Sequence, residues 1–298
     1  MINQHRHSIG PNNAHIALVQ WTDGSSDKPP ALLLHGTGFV ADVWDEVARE
    51  LASSYTVYAL DRRGHGASHK PGAYHFLDYA DDVCRVIDAL DLHGIYGIGH
   101  SASATDLLLA ATMLPGRFTR LFVMEPTVMD PRAARDASAG LSEWATAGVQ
   151  GVLRRQAEFD SFEAVFKRYR AAPAFADWTE TSLWAYVKHG FAPLENGRVR
   201  LCCTPEIESA ILRPIFEAMD QIYTGDARGN PFGNFTEIDC PVRVTTAEKS
   251  APIYKKMASR AVSLIPQVST WTFEGSGHCV AQEAPARVAQ ALREFSDA

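Results

Sequence analysis

The chain has 298 residues, of which 46% are hydrophobic and 21% charged, and its formal net charge is −7 at pH 7. This length and composition suit one large domain or a core with an inserted subdomain. The acidic balance argues against nucleic acid or an anionic membrane as the main partner. The longest apolar run, residues 107–114, is far too short to cross a bilayer, and the polar N-terminus has no signal-peptide pattern. We therefore expect a cytoplasmic protein that acts on a small molecule.

Short apolar runs alternate with amphipathic or Ala- and Leu-rich stretches through the first 130 residues. We predict strands at residues 3–9, 14–21, 31–34, 55–60, 95–98 and 121–124, and helices at residues 41–51, 76–91 and 102–115. This alternation is typical of βαβ units in a parallel sheet and predicts the α/β fold class.

The alternation breaks near residue 130, and helical patterns without buried strands continue to about residue 235. We therefore predict a core formed by residues 1–130 and 236–298, with a helical cap subdomain formed by residues 131–235. The remaining core elements are predicted strands at residues 241–245 and 268–273 and predicted helices at residues 254–263 and 282–296.

The cysteines are scattered and odd in number, without the spacing of a metal site: Cys84, Cys202, Cys203, Cys240 and Cys279. This usage favours free thiols in a reducing compartment. We expect no metal and no cofactor, because the sequence has no clustered set of His, Cys and carboxylate residues. The sequence leaves the assembly state open, a homodimer included.

The pentapeptide Gly99-His100-Ser101-Ala102-Ser103 lies between a predicted buried strand and a predicted buried helix. A serine on such a strand-to-helix turn has a strained backbone conformation, and the residues two before and two after it must be small. Gly99 and Ser103 are small enough, although the usual motif has glycine where this chain has Ser103. Ser101 is therefore a candidate nucleophile.

Four motifs each follow a predicted strand: His35-Gly36-Thr37-Gly38, Asp61-Arg62-Arg63-Gly64-His65-Gly66, the Ser101 turn, and Gly277-His278. In this order they resemble the α/β-hydrolase superfamily, and the resemblance spans essentially the whole chain. It implies a mostly parallel eight-stranded sheet flanked by helices, with a cap inserted after the sixth strand. Catalytic groups gather at the carboxyl ends of parallel strands, where all four motifs stand.

The resemblance implies a triad in the chain order serine, acid, histidine, with His278 as the base that takes the proton of Ser101. The acid departs from the commonest pattern, because the usual aspartate position after the seventh strand is Ser250. Our candidate is Glu125, which closes the apolar strand beside the serine strand, since some relatives place their acid there. The alternatives are Glu248 and Asp130.

Binding the oxyanion of an acyl intermediate needs two backbone N–H groups. The residue after the nucleophile, Ala102, supplies one of them, and the resemblance assigns the other to Thr37. Gly36 and Gly38 would let the substrate approach the backbone closely. These four residues are the predicted backbone contacts of the substrate beside the triad.

A serine nucleophile excludes the branches of this superfamily that require an aspartate, and it leaves acyl chemistry. The leading hypothesis is hydrolysis of a carboxylic ester or lactone of a small to medium apolar substrate, with Trp144 and Trp184 among the aromatic residues that contact it. An alternative is hydrolysis of a carbon–carbon bond in a ring-cleavage product, where relatives hold a substrate carboxylate with a basic cap residue. The candidates for that role are Arg154, Arg155, Arg168 and Arg170. A third hypothesis, from a different class, is a non-catalytic small-molecule receptor on the same fold.

Overall fold

The fold is that of a computed structural model, which describes residues 2–25, 27–75, 77–128, 148–213 and 232–297. In chain order its strands are β1 Asn3–Ile9, β2 Ile16–Thr22, β3 Pro30–Leu34, β4 Thr56–Leu60, β5 Ile95–His100, β6 Phe118–Met124, β7 Glu158–Phe159, β8 Phe191–Pro193, β9 Val199–Leu201, β10 Val242–Ala247 and β11 Val268–Phe273. Eight of them form one sheet in the order β1-β2-β4-β3-β5-β6-β10-β11. β2 is antiparallel to both of its neighbours, β1 and β4, and all other neighbouring pairs are parallel. The predicted fold class is confirmed.

Helices cover both faces of this sheet. In chain order they are α1 Asp45–Leu51, α2 Asp78–Ala89, α3 Ala102–Met113, α4 148–153, α5 Phe162–Arg170, α6 Glu180–Gly190, α7 205–213, α8 Pro252–Leu264, α9 Val280–Glu283 and α10 Pro285–Ser296. The hydrophobic cluster on one face includes α2, α3 and α8, and the cluster on the other face includes α1 and α10. None of the helices in these ranges is both long and apolar enough to cross a membrane.

The central strand β3 shows why these strands have no polar alternation. Its residues 31–34 are completely buried, and their side chains point alternately into the two hydrophobic clusters. A parallel strand covered by helices on both faces needs apolar residues at every position. Packing from both sides therefore explains the unbroken apolar run, and the polar motif after it marks the point where the strand leaves the core.

Residues 148–213, which lie between β6 and β10, are called the insertion segment below. They contain α4 to α7 and a separate antiparallel sheet in the order β7-β9-β8. The sequence predicted helices without buried strands here, and the small sheet, with Phe159 and Leu201 buried, corrects that expectation. Strands of two or three residues are too short to show a hydrophobic period. The predicted boundary at residues 130–131 lies outside the described residues, so the division into core and cap stays a prediction.

The insertion segment packs against the loop that follows β3. The hydroxyl of Tyr186 on α6 donates to the carbonyl oxygen of Gly38 at 2.9 Å. The ring of Phe39 makes edge contacts with Trp178 and Tyr186, with centroid separations of 5.1 and 5.5 Å. The backbone N–H of Thr179 also donates to the carbonyl of Gln282 at 2.9 Å. These contacts place the insertion segment over the carboxyl edge of the sheet.

Candidate active site

Ser101 lies on a sharp turn between β5 and α3. Its backbone has φ 59° and ψ −127°, a conformation that a residue with a side chain rarely adopts. A Cβ atom added at Gly99 would come within 2.7 Å of the Cα of Ala104, so only glycine fits two residues before the serine. The sequence therefore accepts strain at Ser101 in order to present its hydroxyl at the edge of the sheet.

The departure from the usual motif at Ser103 has a structural reason. The Ser103 side chain is completely buried, and its hydroxyl can donate to the carbonyl oxygen of Leu34 at 2.7 Å or to that of His100 at 2.9 Å. A small hydroxyl thus fits the space usually left to glycine. It also contacts the ends of both β3 and β5, next to Ser101.

The structure brings Ser101, His278 and Glu125 into one hydrogen-bonded chain. His278 Nε2 lies 3.2 Å from Ser101 Oγ, and His278 Nδ1 lies 2.5 Å from Glu125 Oε2. The imidazole is about a quarter exposed, at 26%, whereas the carboxylate is only 1% exposed. One ring nitrogen therefore faces the nucleophile and the other faces a buried acid, which is the arrangement that general-base activation of a serine needs.

The surroundings of Glu125 keep its carboxylate ionised. Burial acts to raise the pKa of Glu125, but hydrogen bonds from His278, the backbone N–H of Ala247 and the hydroxyl of Ser250 outweigh burial and lower it below its ordinary value. The Ala247 N–H donates to Oε1 at 2.9 Å, and Ser250 Oγ donates to Oε2 at 2.8 Å. A carboxylate that accepts three hydrogen bonds is strongly favoured over its protonated form.

Of the other two candidate acids, Glu248 does not contact His278. Glu248 is exposed, and its carboxylate accepts the backbone N–H of Gly275 at 2.7 Å. Asp130 lies outside the described residues. Ser250, which occupies the usual aspartate position, instead donates to Glu125. The sequence shows that Ser250 carries no charge, but it does not reveal this supporting contact.

Two aromatic residues hold His278 from outside the triad. The ring of Tyr254 on α8 stacks on the imidazole, with a centroid separation of 3.9 Å and an angle of 19°. His100 Nε2 lies 2.7 Å from the carbonyl oxygen of His278 and donates to it. Burial lowers the pKa of His100 to about 3, so this second histidine stays neutral. Sequence reasoning missed Tyr254, because nothing in its helix marks one aromatic residue as a partner of His278.

The loop after β3 has the features of an oxyanion-binding element. In the part of the chain that the structure describes, neither the N–H of Thr37 nor that of Ala102 donates to a protein acceptor. The next N–H, that of Gly38, is occupied because it donates to His65 Nε2 at 2.9 Å. Gly38 has φ +87°, which favours glycine. The loop is therefore fixed through Gly38, whereas the N–H of Thr37 has no protein acceptor among the described residues.

A buried ion pair supports Thr37 from below. Arg62 and Asp106 are both almost fully buried, with 2.7 Å between Nη2 and Oδ2. The same guanidinium donates through Nη1 to the hydroxyl oxygen of Thr37 at 3.1 Å. Since that oxygen accepts from Arg62, the Thr37 hydroxyl keeps its own proton as a donor. The sequence does not indicate this pair, whose members are 44 residues apart.

The remaining predicted contacts differ in their placement. A Cβ added at Gly36 would lie 3.4 Å from the Cβ of Ser101, so glycine keeps this approach open. Trp184 instead stacks on Phe166 at 4.3 Å and lines a separate cavity of about 790 Å³. None of the triad or of the predicted oxyanion-binding residues lines that cavity, so the geometry gives no support to Trp184 as a substrate contact. Trp144 lies outside the described residues.

The four arginines proposed from the sequence fall into two groups. Arg170 donates to the carbonyl oxygens of Phe175, Ala176 and Trp178, so it braces the insertion segment. The others line a cavity beside the loop after β3, and they are Arg154, Arg155 and Arg168. Within the described ranges no group of His, Cys, Asp and Glu side chains is arranged to hold a metal ion.

The chain belongs to the alpha/beta hydrolase family, whose sequence model matches residues 31–291. It is therefore a hydrolase with the α/β-hydrolase fold, and the predicted family is confirmed.

Two curated relatives and one solved structure illustrate the similarity. The chain is 39% identical over 123 residues to a non-heme chloroperoxidase from Streptomyces lividans, a match that covers 40% of this chain and 44% of that protein. It is 26% identical over 277 residues to 2-(acetamidomethylene)succinate hydrolase from Mesorhizobium japonicum, covering 91% of this chain and 88% of that one. A solved E-2-(acetamidomethylene)succinate hydrolase superposes with a TM-score of 0.79 at 20% identity, covering 99% of this chain and 100% of that chain. At that identity the superposition shows the shared fold alone.

Proposed function

We propose that this hydrolase cleaves a carboxylic ester or lactone through an acyl-enzyme, with Ser101, His278 and Glu125 as its triad. The observation that carries the proposal is the continuous hydrogen-bonded path from Ser101 Oγ through the imidazole to a buried carboxylate. A serine hydroxyl is a weak nucleophile at neutral pH unless a base takes its proton. This path supplies both the base and the acid that orients it.

In the first half of the proposed reaction, Ser101 Oγ attacks the carbonyl carbon while its proton passes to His278 Nε2. The Glu125 carboxylate accepts the Nδ1–H and stabilises the imidazolium that forms. The N–H groups of Thr37 and Ala102 bind the negative charge that develops on the carbonyl oxygen. When the tetrahedral intermediate collapses, the carbon–oxygen bond to the leaving group breaks, and the departing alkoxide takes the proton from Nε2.

The second half repeats these steps with water. His278 Nε2 takes a proton from a water molecule, whose oxygen attacks the carbonyl carbon of the acyl-enzyme. Collapse of the second intermediate breaks the bond to Ser101 Oγ, which regains its proton from Nε2. With a lactone, the alcohol released in the first half stays attached to the acyl group and leaves with it.

Hydrolysis of a carbon–carbon bond in a ring-cleavage product is a second candidate. The observation that favours it is the set of arginines beside the loop after β3, because such a substrate carries a carboxylate. The relative from Mesorhizobium japonicum is likewise named for a carboxylate-bearing substrate, 2-(acetamidomethylene)succinate. A panel of esters, lactones and vinylogous diketones separates the two reactions.

The test of the proposed function is intact-mass spectrometry after treatment with a fluorophosphonate, with the natural chain beside Ser101→Ala. We expect one adduct on the natural chain and none on the variant. Hydrolysis of a neutral ester should fall at least about 1,000-fold in Ser101→Ala, because the attacking oxygen is lost. A folded natural chain that forms no adduct and hydrolyses no substrate of the panel would contradict the proposal and favour the receptor hypothesis.

A further inference from the structure

A cavity of about 630 Å³ lies beside the loop after β3, between that loop and the insertion segment. The core contributes Thr37, Gly38 and Phe39 to its lining. The charged residues of the insertion segment that line it are Arg154, Arg155, Arg168 and Glu208. Within the described lining, positive charge therefore exceeds negative charge by two, although the chain as a whole carries a net charge of −7.

Arg155 is held rigidly at the wall of this cavity. It forms an ion pair with Glu208, whose side chain is only 10% exposed, and it donates to the hydroxyls of Tyr186 at 3.3 Å and Tyr169 at 3.4 Å. Burial opposes the charge of Arg155, but the facing Tyr186 and Glu208 outweigh burial and raise its pKa, so the guanidinium stays charged. The pairing with Glu208 fixes its geometry and neutralises one of the positive charges.

Arg154 and Arg168 carry the two positive charges that the Arg155–Glu208 ion pair does not neutralise. Arg168 is exposed on α5, and in the described ranges its guanidinium has no hydrogen bond and no ion pair. Arg154 donates through Nε to the carbonyl oxygen of Gln150 at 3.1 Å, which leaves its terminal nitrogens uncommitted in the same ranges. Two guanidinium groups with unused donors therefore face a cavity whose third arginine is anchored. Guanidinium groups bind carboxylates with two parallel hydrogen bonds, and this pairing is among the strongest available to a side chain.

The cavity is close to the nucleophile along the loop. A Cβ added at Gly36 would lie 3.4 Å from the Cβ of Ser101, and one added at Gly38 would lie 3.2 Å from Oε1 of Glu208 and 3.6 Å from Nη1 of its ion-pair partner Arg155. The Cα atoms of residues two apart are separated by at most about 7 Å. Residues 36–38 thus connect the surroundings of Ser101 with the wall of the cavity, which Arg154 and Arg168 also line.

We propose that this cavity binds a carboxylate at the far end of the substrate's acyl group, so that the preferred substrates are monoesters of short dicarboxylic acids. The inference rests on the proposed serine hydrolase function and names its substrate class. It replaces the purely apolar substrate expected from the sequence with one that is anionic at neutral pH. Arg168 and Arg154 bind the carboxylate, and Arg155 with Glu208 shapes the wall against which it lies.

The first test compares monoethyl glutarate with ethyl valerate, a neutral ester whose acyl chain has the same number of carbons. Hydrolysis is followed by titration of the released acid. We expect kcat/KM to be higher for the glutarate ester, and its ratio to the valerate value to fall 10-fold or more in Arg168→Gln and further in the double variant Arg154→Gln with Arg168→Gln. The matched control is Lys167→Gln, which removes one positive charge from the adjacent exposed position of α5, outside the cavity lining, and should leave the ratio within about twofold.

A second readout needs no turnover. Isothermal titration of monoethyl glutarate into Ser101→Ala should give a Kd that rises about 10-fold when Arg168→Gln is added and hardly changes when Lys167→Gln is added. Equal ratios and equal affinities in the Arg168→Gln and Lys167→Gln backgrounds would overturn the inference. A natural chain that hydrolyses neither ester, together with binding that still depends on Arg168, would refute the proposed function but support the carboxylate site.

Discussion

The carboxyl edge of the sheet and the insertion segment both border the candidate site, but different forces position their residues. At the sheet edge, backbone hydrogen bonds position the residues. Ser101 directly follows β5 and donates its N–H to the carbonyl of Met124 at 2.8 Å, and Glu125 directly follows β6 and donates its N–H to the carbonyl of Thr245 at 2.9 Å. Both residues have positive φ angles, 59° and 49°. The backbone hydrogen bonds between parallel strands thus fix the Cα positions from which the side chains of Ser101 and Glu125 extend.

In the insertion segment, contacts between side chains, rather than backbone hydrogen bonds between strands, position the charged residues. Arg155 and Glu208 are 53 residues apart, and the contact between them is made by their charged groups. The small sheet of this segment contains only strands of two or three residues, so its ladders are short. In the proposed function, the sheet edge supplies the groups for the chemical step, and in the further proposal the insertion segment supplies the groups that bind the substrate carboxylate. Substitutions in the two regions should therefore change different measured quantities.

The largest effect should come from Glu125→Gln at the sheet edge. The amide of glutamine would donate to His278 Nδ1 and move the ring proton to Nε2, where the base needs its lone pair. We expect kcat for a neutral ester to fall by about 1,000- to 10,000-fold with little change in KM. Steady-state kinetics on purified protein measure this effect.

Glu248→Gln is the control for that substitution, since Glu248 also follows a strand of the same edge but binds the Gly275 N–H on the surface. Its kcat should stay within about twofold of the natural value. Comparable losses in the two variants would show that Glu125 is not the acid of the triad.

The next largest effect is on the free energy of unfolding and comes from a substitution in the insertion segment. Glu208→Gln removes one partner of a mostly buried ion pair and leaves the charge of Arg155 without its counterion. We expect the free energy of unfolding to fall by about 2–4 kcal/mol, measured by urea denaturation. The control is Glu158→Gln, whose partner Arg198 is 40% exposed, and its cost should stay below about 1 kcal/mol. Equal losses in both variants would contradict an anchoring role for Glu208.

The smallest effect should come from Ser250→Ala, a positioning substitution at the sheet edge. Losing the hydroxyl removes one of the hydrogen bonds that lower the pKa of Glu125, so the pKa of Glu125 should rise. We expect kcat to fall about 5- to 10-fold and the acid limb of the profile of kcat against pH to move to higher pH. In Ser250→Thr, kcat and the position of the acid limb should both stay close to those of the natural chain, because threonine keeps the hydroxyl. An unchanged acid limb in Ser250→Ala would show that the hydrogen bond does not tune Glu125.

The same comparison explains how much the sequence could predict. Apolar runs covered on both faces predict strands well, and a motif directly after such a run must lie at the carboxyl edge of the sheet. Together with the family resemblance, this reasoning predicts that Ser101 and His278 lie close together, even though they are 177 residues apart. It leaves Glu125 as one of three candidate acids, beside Glu248 and Asp130. Thr37 and Ala102 follow from the same reasoning combined with family resemblance.

Residues whose roles depend on side-chain contacts could not be predicted in this way. Tyr254 lies on a helix, and its stacking on His278 depends on how α8 packs against the sheet. The sequence makes Arg155 one of four equivalent candidates, and only its pairing with Glu208 and the bracing contacts of Arg170 separate them. Trp184 is a candidate because it is aromatic and lies in the inserted region, but its stacking on Phe166 places it at a different cavity. Composition cannot distinguish such alternatives, because each satisfies the same local pattern.

The backbone contacts of Gly38 have a consequence for recombining this protein with its relatives. Its N–H is held by His65 from the core, and its carbonyl oxygen is held by Tyr186 from the insertion segment. A chimaera that keeps this sheet but takes the inserted region from a protein without an equivalent hydroxyl would leave this carbonyl without its donor, so the peptide plane between Gly38 and Phe39 would be free to rotate. A design that exchanges the inserted region must therefore keep Tyr186 together with the loop that contains Gly38, because the core and the insertion segment are hydrogen-bonded at this glycine.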